Sequence, residues 1–256
     1  MNKIEYQKYS EPGAILIFFA RATRFIWKRI PIILNDFRIS QYIGKYFYNH
    51  YTRFQSRDQS HSTWFLRNVP QTKVLVGLIK DKKILNEVIN IASIGCSTGA
   101  ELYSNLFVLK SKCSEKKFES VGVDISAGVV EIAKNAIYST KNPSSLGLGN
   151  YYEGEFELSH LDENDMAELF DPTEKGMKIK SWISNDTSWQ CMSASDDQLV
   201  RKLGKQDIVF AKNFLGPMDS DFTQKCLLNV LKIVRKGGVL VLDGVDLDVK
   251  CQVLSS

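Results

Sequence analysis

With 256 residues, of which 44% are hydrophobic and 24% charged, and with only six prolines, the chain has the make-up of a globular protein rather than a fibrous or wholly disordered one. Its five cysteines are odd in number and form no CxxC pair, which argues against a disulfide framework and a structural zinc site and fits a reducing, cytoplasmic compartment. The net charge of +4 is unevenly placed: residues 1–67 hold 11 of the 33 Lys and Arg but only 4 of the 29 Asp and Glu.

The first residues are mixed polar, and the apolar run over residues 13–34 lacks a small-residue cleavage site, so no secretory leader is expected. Arg21, Arg24, Lys28 and Arg29 interrupt that run, which argues against a transmembrane helix. Residues 13–55 read as two or three helices rich in aromatics, broken at Pro31. Their basic character suits peripheral contact with an acidic membrane or protein surface, against the plainer reading of a solvated helix face. A polar stretch at 55–62 precedes a short helix over 73–80, and the domain junction is placed there. Residues 1–72 form a helical basic N-terminal region, and 73–256 form the main domain.

From Val88 the pattern alternates in the manner of βαβ units. A strand at 88–94 runs into a glycine turn, a helix over 99–112 and a strand at 120–124. Ser126 is placed to cap the next helix, which carries Val129, Ile132, Ala133 and Ala136 on one face. Residues 151–174 hold nine acidic residues and no Lys or Arg. They read as the heart of a largely exposed acidic insert at about 140–187, a solvated surface or a dock for a basic partner. Further strands are expected at 189–192, 207–213 and 239–243. The helix between the last two carries Phe222, Cys226, Val230 and Leu231 on one side, and 235–238, Arg-Lys-Gly-Gly, reads as its cationic, glycine-terminated end. The 13 residues after Asp243 allow one short closing strand.

Chemistry concentrates at the first turn. Gly95-Cys96-Ser97-Thr98-Gly99 follows a strand and opens a helix, an arrangement that lets backbone approach a ligand and aims free N–H groups at it. The second strand ends in Asp124, where a carboxylate can accept from both hydroxyls of a ribose; capping the next helix is its alternative role. NAD and S-adenosylmethionine both present such a ribose. The loop has G-x-x-x-G and lacks the three-glycine pyrophosphate fingerprint.

Ser93-Ile94-Gly95-Cys96-Ser97-Thr98-Gly99-Ala100-Glu101-Leu102-Tyr103-Ser104 resembles the cofactor loop of the CheR-type chemotaxis receptor methyltransferases, approximately A-G-C-S-T-G-E-E-x-Y-S. Thr63-Trp64-Phe65-Leu66-Arg67 is similar to that family's T-x-F-F-R motif, Asp124-Ile125-Ser126 to its D-I-S, and Lys212-Asn213 to its Arg-Asn. The resemblance implies a doubly wound, Rossmann-like α/β sheet of the class I methyltransferase type with a small helical N-terminal region. It also implies S-adenosylmethionine as cofactor and no metal. Carried over by position, it implies that Thr63 and Arg67 hold the methionine carboxylate, that Gly95 and Glu101 lie along the methionyl part, that Asp124 takes the ribose, and that Ser97 and Ile125 also bind the cofactor. Ser195 and Asp196 would lie near the adenine, and Asn213 would border the methyl group, making Arg67 and Asn213 the catalytic pair. The planar guanidinium of Arg67 suits a carboxylate on physical grounds as well.

Methyl transfer from a sulfonium is an in-line displacement, so alignment and exclusion of water matter most. A carboxylate acceptor is already ionised at neutral pH, whereas an amine or hydroxyl acceptor needs a base, and His50, His61 and His160 are scattered and read as structural or incidental. The family's Arg-Asn continues V-L-I-Y-F with its tyrosine in the active site, and Pro217 stands at that place here, offering neither hydroxyl nor N–H. The expected partner is therefore a protein or small-molecule methyl acceptor, preferably a carboxylate or other oxygen nucleophile, rather than a nucleic acid. The alternatives are a non-catalytic S-adenosylmethionine-binding signalling module and a small-molecule N- or O-methyltransferase.

Overall fold

A computed structural model describes residues 63–139, 157–215 and 220–255, apart from 82, 85, 159 and 246. The helices expected in the N-terminal region, Pro217 and part of the acidic insert lie outside the described residues.

The main sheet has five strands, all parallel: β1 (Val88–Ile94), β2 (Lys117–Asp124), β6 (Thr187–Cys191), β7 (Gln206–Lys212) and β8 (Val234–Asp243). Their spatial order is β6-β2-β1-β7-β8. The chain steps from β1 to β2 to β6 in one direction, returns past β1 to β7, and ends at β8. Right-handed crossovers therefore put α2 (Ala100–Lys112) and α3 (Ala127–Asn135) on one face, and α6 (Gln198–Leu203) and α7 (Ser220–Ile233) on the other. The direction of winding reverses between β1 and β7, and in such sheets the ligand crevice opens outside the carboxyl ends of the strands at that reversal.

The residues explain these elements. β7 is buried along its whole length, as a central parallel strand must be, and reads as an unbroken apolar run over 208–211. On one face Ile89, Ile91, Phe118, Ile208 and Phe210 meet Leu75, Val76 and Ile79 of α1 (Val69–Lys80) and Leu102, Leu106 and Leu109 of α2. α1 starts earlier than the expected residue 73 because Pro70 sits in its first turn, where a missing N–H costs nothing. Trp189 of β6 lies across two glycines, and a Cβ added at Gly122 would stand 2.2 Å from its ring. Gly122→Ala is therefore expected to lower stability by about 1–3 kcal/mol through overpacking, read as a lower urea midpoint at unchanged m-value.

Two local expectations are corrected. α7 ends at Ile233, and Arg235 does not cap it but donates to buried Asp207 at 2.7 Å. The register shift between Gln206↔Val234 and Ile208↔Val239 absorbs residues 235–238 as a bulge in β8. The tail after β8 forms helix α8 (Leu247–Leu254) in place of a closing strand. The described part of the acidic insert carries structure of its own. After α4 (Glu163–Leu169) it folds β4 (Phe170–Thr173) and β5 (Gly176–Ile179) into an antiparallel hairpin that pairs with β3 (Ile137–Tyr138). Leu169, Phe170 and Ile179 are buried, extending the main core, while Glu163, Glu168 and Asp171 face solvent. The short α5 (Ser181–Ser184) follows, and Lys110 of α2 donates to the carbonyls of Trp182, Ile183 and Asn185 at its end. Burial beside those carbonyls pushes the Lys110 ammonium below its ordinary pKa. Among the described residues no helix is long and apolar enough to cross a membrane.

Candidate active site

At the carboxyl end of β1 the chain turns through residues 95–99. Gly95 has φ +69° and Gly99 φ +85°, in the left-handed region that side chains rarely adopt. Space is also closed there: a Cβ at Gly95 would lie 2.7 Å from the Phe214 ring, and one at Gly99 2.6 Å from Trp189. Both Gly95 and Cys96 donate their N–H to Val123 O, at 2.8 and 3.0 Å, so the loop is sewn to the end of β2. The Cys96 thiol is held well above its usual pKa by burial, with the Asp124 charge adding to the effect, and stays neutral.

Asp124 is 8% exposed. Its Oδ2 accepts from Ser97 N at 2.8 Å and its Oδ1 from Ser126 N at 3.0 Å. Ser126 stands at the N-cap of α3 but makes no capping bond with its own side chain; the carboxylate two residues earlier takes its N–H instead. Both oxygens are thus braced by backbone, and each retains a further lone pair for a ligand. Half-buried Ile125 follows, and its carbonyl accepts from Cys191 Sγ at 3.3 Å.

The 63–67 segment is a turn packed on the start of α2. Leu66 N donates to Ser104 Oγ at 2.8 Å, and that hydroxyl donates to Ala100 O at 2.6 Å. Thr63 is buried, and the Arg67 guanidinium stacks 4.1 Å from the centre of the Trp64 ring, without a carboxylate partner among the described residues. That leaves its planar donor edge for an anion.

Lys212, at the last position of β7, has a side chain 1% exposed and forms an ion pair with Glu101 in the first turn of α2. It also donates to Gln71 Oε1 at 3.0 Å and reaches the Asn68 amide oxygen at 3.1 Å in the amide orientation that satisfies both ends of that side chain. The ammonium is thus enclosed by a carboxylate and two amide oxygens. Asn213 follows with φ +59°, a conformation asparagine tolerates better than most residues, and it is exposed at the strand end while its N–H donates to Asp243 O at 3.1 Å. The strand expected at 189–192 is β6; the loop after it holds Ser195, whose hydroxyl meets Ser193 Oγ at 2.8 Å, and Asp196, whose Oδ1 accepts from Gln198 N at 2.8 Å. Asn229 of α7 braces this loop through Ala194 O and Asp196 O.

The described residues assigned to the cofactor in the sequence therefore lie at or against the carboxyl edge of the sheet. Ser97 and Asp124 are brought into direct contact, with Gly95 bonded to the neighbouring Val123 O, as are Glu101 and the end of β7, whereas Ser195 and Asp196 follow β6, after which Met192 N donates to Asp124 O at 2.8 Å. Sequence reasoning took Asn213 from the Lys212-Asn213 pair and passed over Lys212. The signal available was a lysine closing a strand of otherwise apolar core. Of the histidines, His160 is described: its Nε2 lies 2.7 Å from Phe65 O and its ring packs edge-on to Trp64.

A parallel sheet with a glycine loop and a braced acidic strand end at its point of reversal is the architecture of the Rossmann-like, S-adenosylmethionine-dependent methyltransferases. Within that class the chain belongs to the CheR methyltransferase family, whose S-adenosylmethionine-binding domain matches residues 61–247. It is 25% identical over 246 residues to chemotaxis protein methyltransferase 2 of Vibrio cholerae, covering 88% of this chain and 78% of that protein. It is 27% identical over 216 residues to the chemotaxis protein methyltransferase of Campylobacter jejuni, covering 83% and 75%. A solved magnesium protoporphyrin IX methyltransferase from Synechocystis with bound S-adenosylmethionine is a remote neighbour, 12% identical, with a TM-score of 0.37 over 93% of this chain and 77% of that one. The chain is an S-adenosylmethionine-dependent methyltransferase resembling the chemotaxis enzymes.

Proposed function

We propose that the chain transfers the methyl group of S-adenosylmethionine to a carboxylate oxygen of a protein acceptor, and that the residues aligned by the carboxyl edge of the sheet hold the donor. The donor fits the residues present. The 95–99 loop turns through Gly95 and Gly99 in the left-handed region, with Phe214 and Trp189 leaving no room for a Cβ, Asp124 keeps an acceptor lone pair on each oxygen, and Arg67, with no carboxylate partner among the described residues, leaves its guanidinium for the methionyl carboxylate. When bound, the cofactor supplies an electrophilic methyl on a sulfonium. Thr63, Arg67, Gly95, Ser97 and Glu101 would orient its amino-acid part, Asp124 and Ile125 its ribose, and Ser195 and Asp196 its adenine, with Asn213 beside the methyl.

The observation that carries the carboxylate is the engagement of the site's titratable groups. Glu101 is paired with Lys212, both oxygens of Asp124 accept backbone N–H groups, His160 is tied to Phe65 O, and the Cys96 thiol is held neutral. Such a site aligns an acceptor and excludes water, and suits a nucleophile that arrives already ionised. A protein acceptor is supported by the family's chemotaxis enzymes, named as protein methyltransferases.

Methyl-labelled S-adenosylmethionine offered with cell protein fractions and carboxylate, amine and hydroxyl peptides tests this. The expected label is protein-bound and released as methanol at alkaline pH, the behaviour of a methyl ester. A label that survives alkali marks an amine or ether product and rejects the carboxylate.

A further inference from the structure

We infer, on the assignment of residues 95–99 to the cofactor proposed for this site, that Glu157 of the acidic insert is a positioning residue for the cofactor loop. The exposed carboxylates at Glu163, Glu168, Asp171 and Glu174 form a solvated face, but Glu157 is 5% exposed. A buried carboxylate is costly unless hydrogen-bonded, and this one accepts from the Thr98 hydroxyl, 59 residues earlier in the chain. Thr98 is fully buried in the middle of the loop, and its carbonyl accepts from Tyr138 Oη at 2.7 Å. Side chain and backbone of one loop residue are thus gripped by Glu157 within the insert and by Tyr138 of β3 just before it. The neighbour Ser97 is held at φ +50°, a conformation serine does not favour by itself, so the loop needs such external restraint to keep its N–H on Asp124.

The same short stretch holds the second cofactor segment. Glu157 O accepts from Phe65 N at 3.1 Å, and His160 Nε2 lies 2.7 Å from Phe65 O. Phe65 in turn packs edge-on against Tyr138 and Phe170, at 4.8 and 4.9 Å between ring centres. The insert therefore fixes the spacing between the 63–67 turn and the glycine loop, which are assigned to the methionyl carboxylate and the methionyl chain. The proposed action of Glu157 on the cofactor runs through Thr98.

Calorimetric titration with S-adenosylhomocysteine, on variants shown to be folded by circular dichroism, tests the inference. Glu157→Ala is expected to raise Kd by about tenfold or more, the scale of leaving one buried polar group unpaired. Glu157→Gln keeps an acceptor oxygen and is expected to restore most of the affinity, a rescue that a purely charge-based or bulk structural role does not give. Thr98→Val removes the donor without changing the shape, is expected to match Glu157→Ala, and keeps the test available if the latter fails to fold. The double variant should be no worse than either single one. Wild-type affinity in Glu157→Ala or in Thr98→Val, or additive losses in the double variant, overturns the inference. Asp124→Ala separates the two levels. If it weakens binding while Glu157→Ala does not, only the positioning role falls; if neither weakens binding, the loop assignment falls as well.

Discussion

Asp124→Ala is expected to weaken binding of S-adenosylhomocysteine roughly a hundredfold, about 3 kcal/mol, with the protein still folded. Two losses combine. On the proposed assignment the ribose hydroxyls lose a charged acceptor, and hydrogen bonds to charged groups are worth about twice neutral ones. The Ser97 and Ser126 N–H groups, now held at 2.8 and 3.0 Å, lose the oxygens that fix the loop and the start of α3. Asp124→Asn separates the contributions, since the amide keeps one acceptor oxygen but loses the charge, and an intermediate Kd is expected from it. Calorimetry on both variants reads the result directly, and an unchanged Kd in folded Asp124→Ala would remove this residue from the cofactor site.

Phe65→Ala is expected to cost about 3–5 kcal/mol of stability, the largest effect foreseen for one side chain here. Phe65 is fully buried and stands edge-on to both Tyr138 and Phe170, so its ring joins the 63–67 turn to the small antiparallel sheet. The cavity left by truncation lies between a tight turn and a two-residue strand, neither of which can close over it without breaking the bonds of Phe65 N and O to Glu157 and His160. Urea unfolding should show the lost stability, and limited proteolysis should show earlier cleavage in the insert than in the main sheet. A loss under 1 kcal/mol would mean that the small sheet holds its place without this ring.

The main sheet and the cofactor loop were legible because their signals are local. β1 has the expected bounds, and β7 and α2 differ from their expected ranges by one residue at the ends. Uninterrupted apolar runs, glycines at a strand-to-helix turn and an acid at a strand end all follow from geometry within a few residues. The end of α7 was misread for the opposite reason. Arg235, Lys236 and the two glycines satisfy the local rules for a helix terminus, but a buried carboxylate on a neighbouring strand, Asp207, competes for Arg235 and wins.

The same contrast separates what the sequence alone determined from what only the tertiary structure decided. The order of residues determined the alternation of strands and helices, the glycine loop with Asp124 after it, and through their motifs the methyl donor. Whether Lys212 was an active group or a committed one could not be read from its identity. Its fate depends on Glu101, Gln71 and Asn68, which chain folding gathers from two separate segments. Glu157 likewise was one of nine acidic residues in a stretch without periodicity, and only the pairing of β5 with β3 and the approach to Thr98 set it apart. Patterns set by the backbone repeat every two or 3.6 residues and are written locally, whereas a buried ion or hydrogen bond is specified by partners that sequence distance does not reveal.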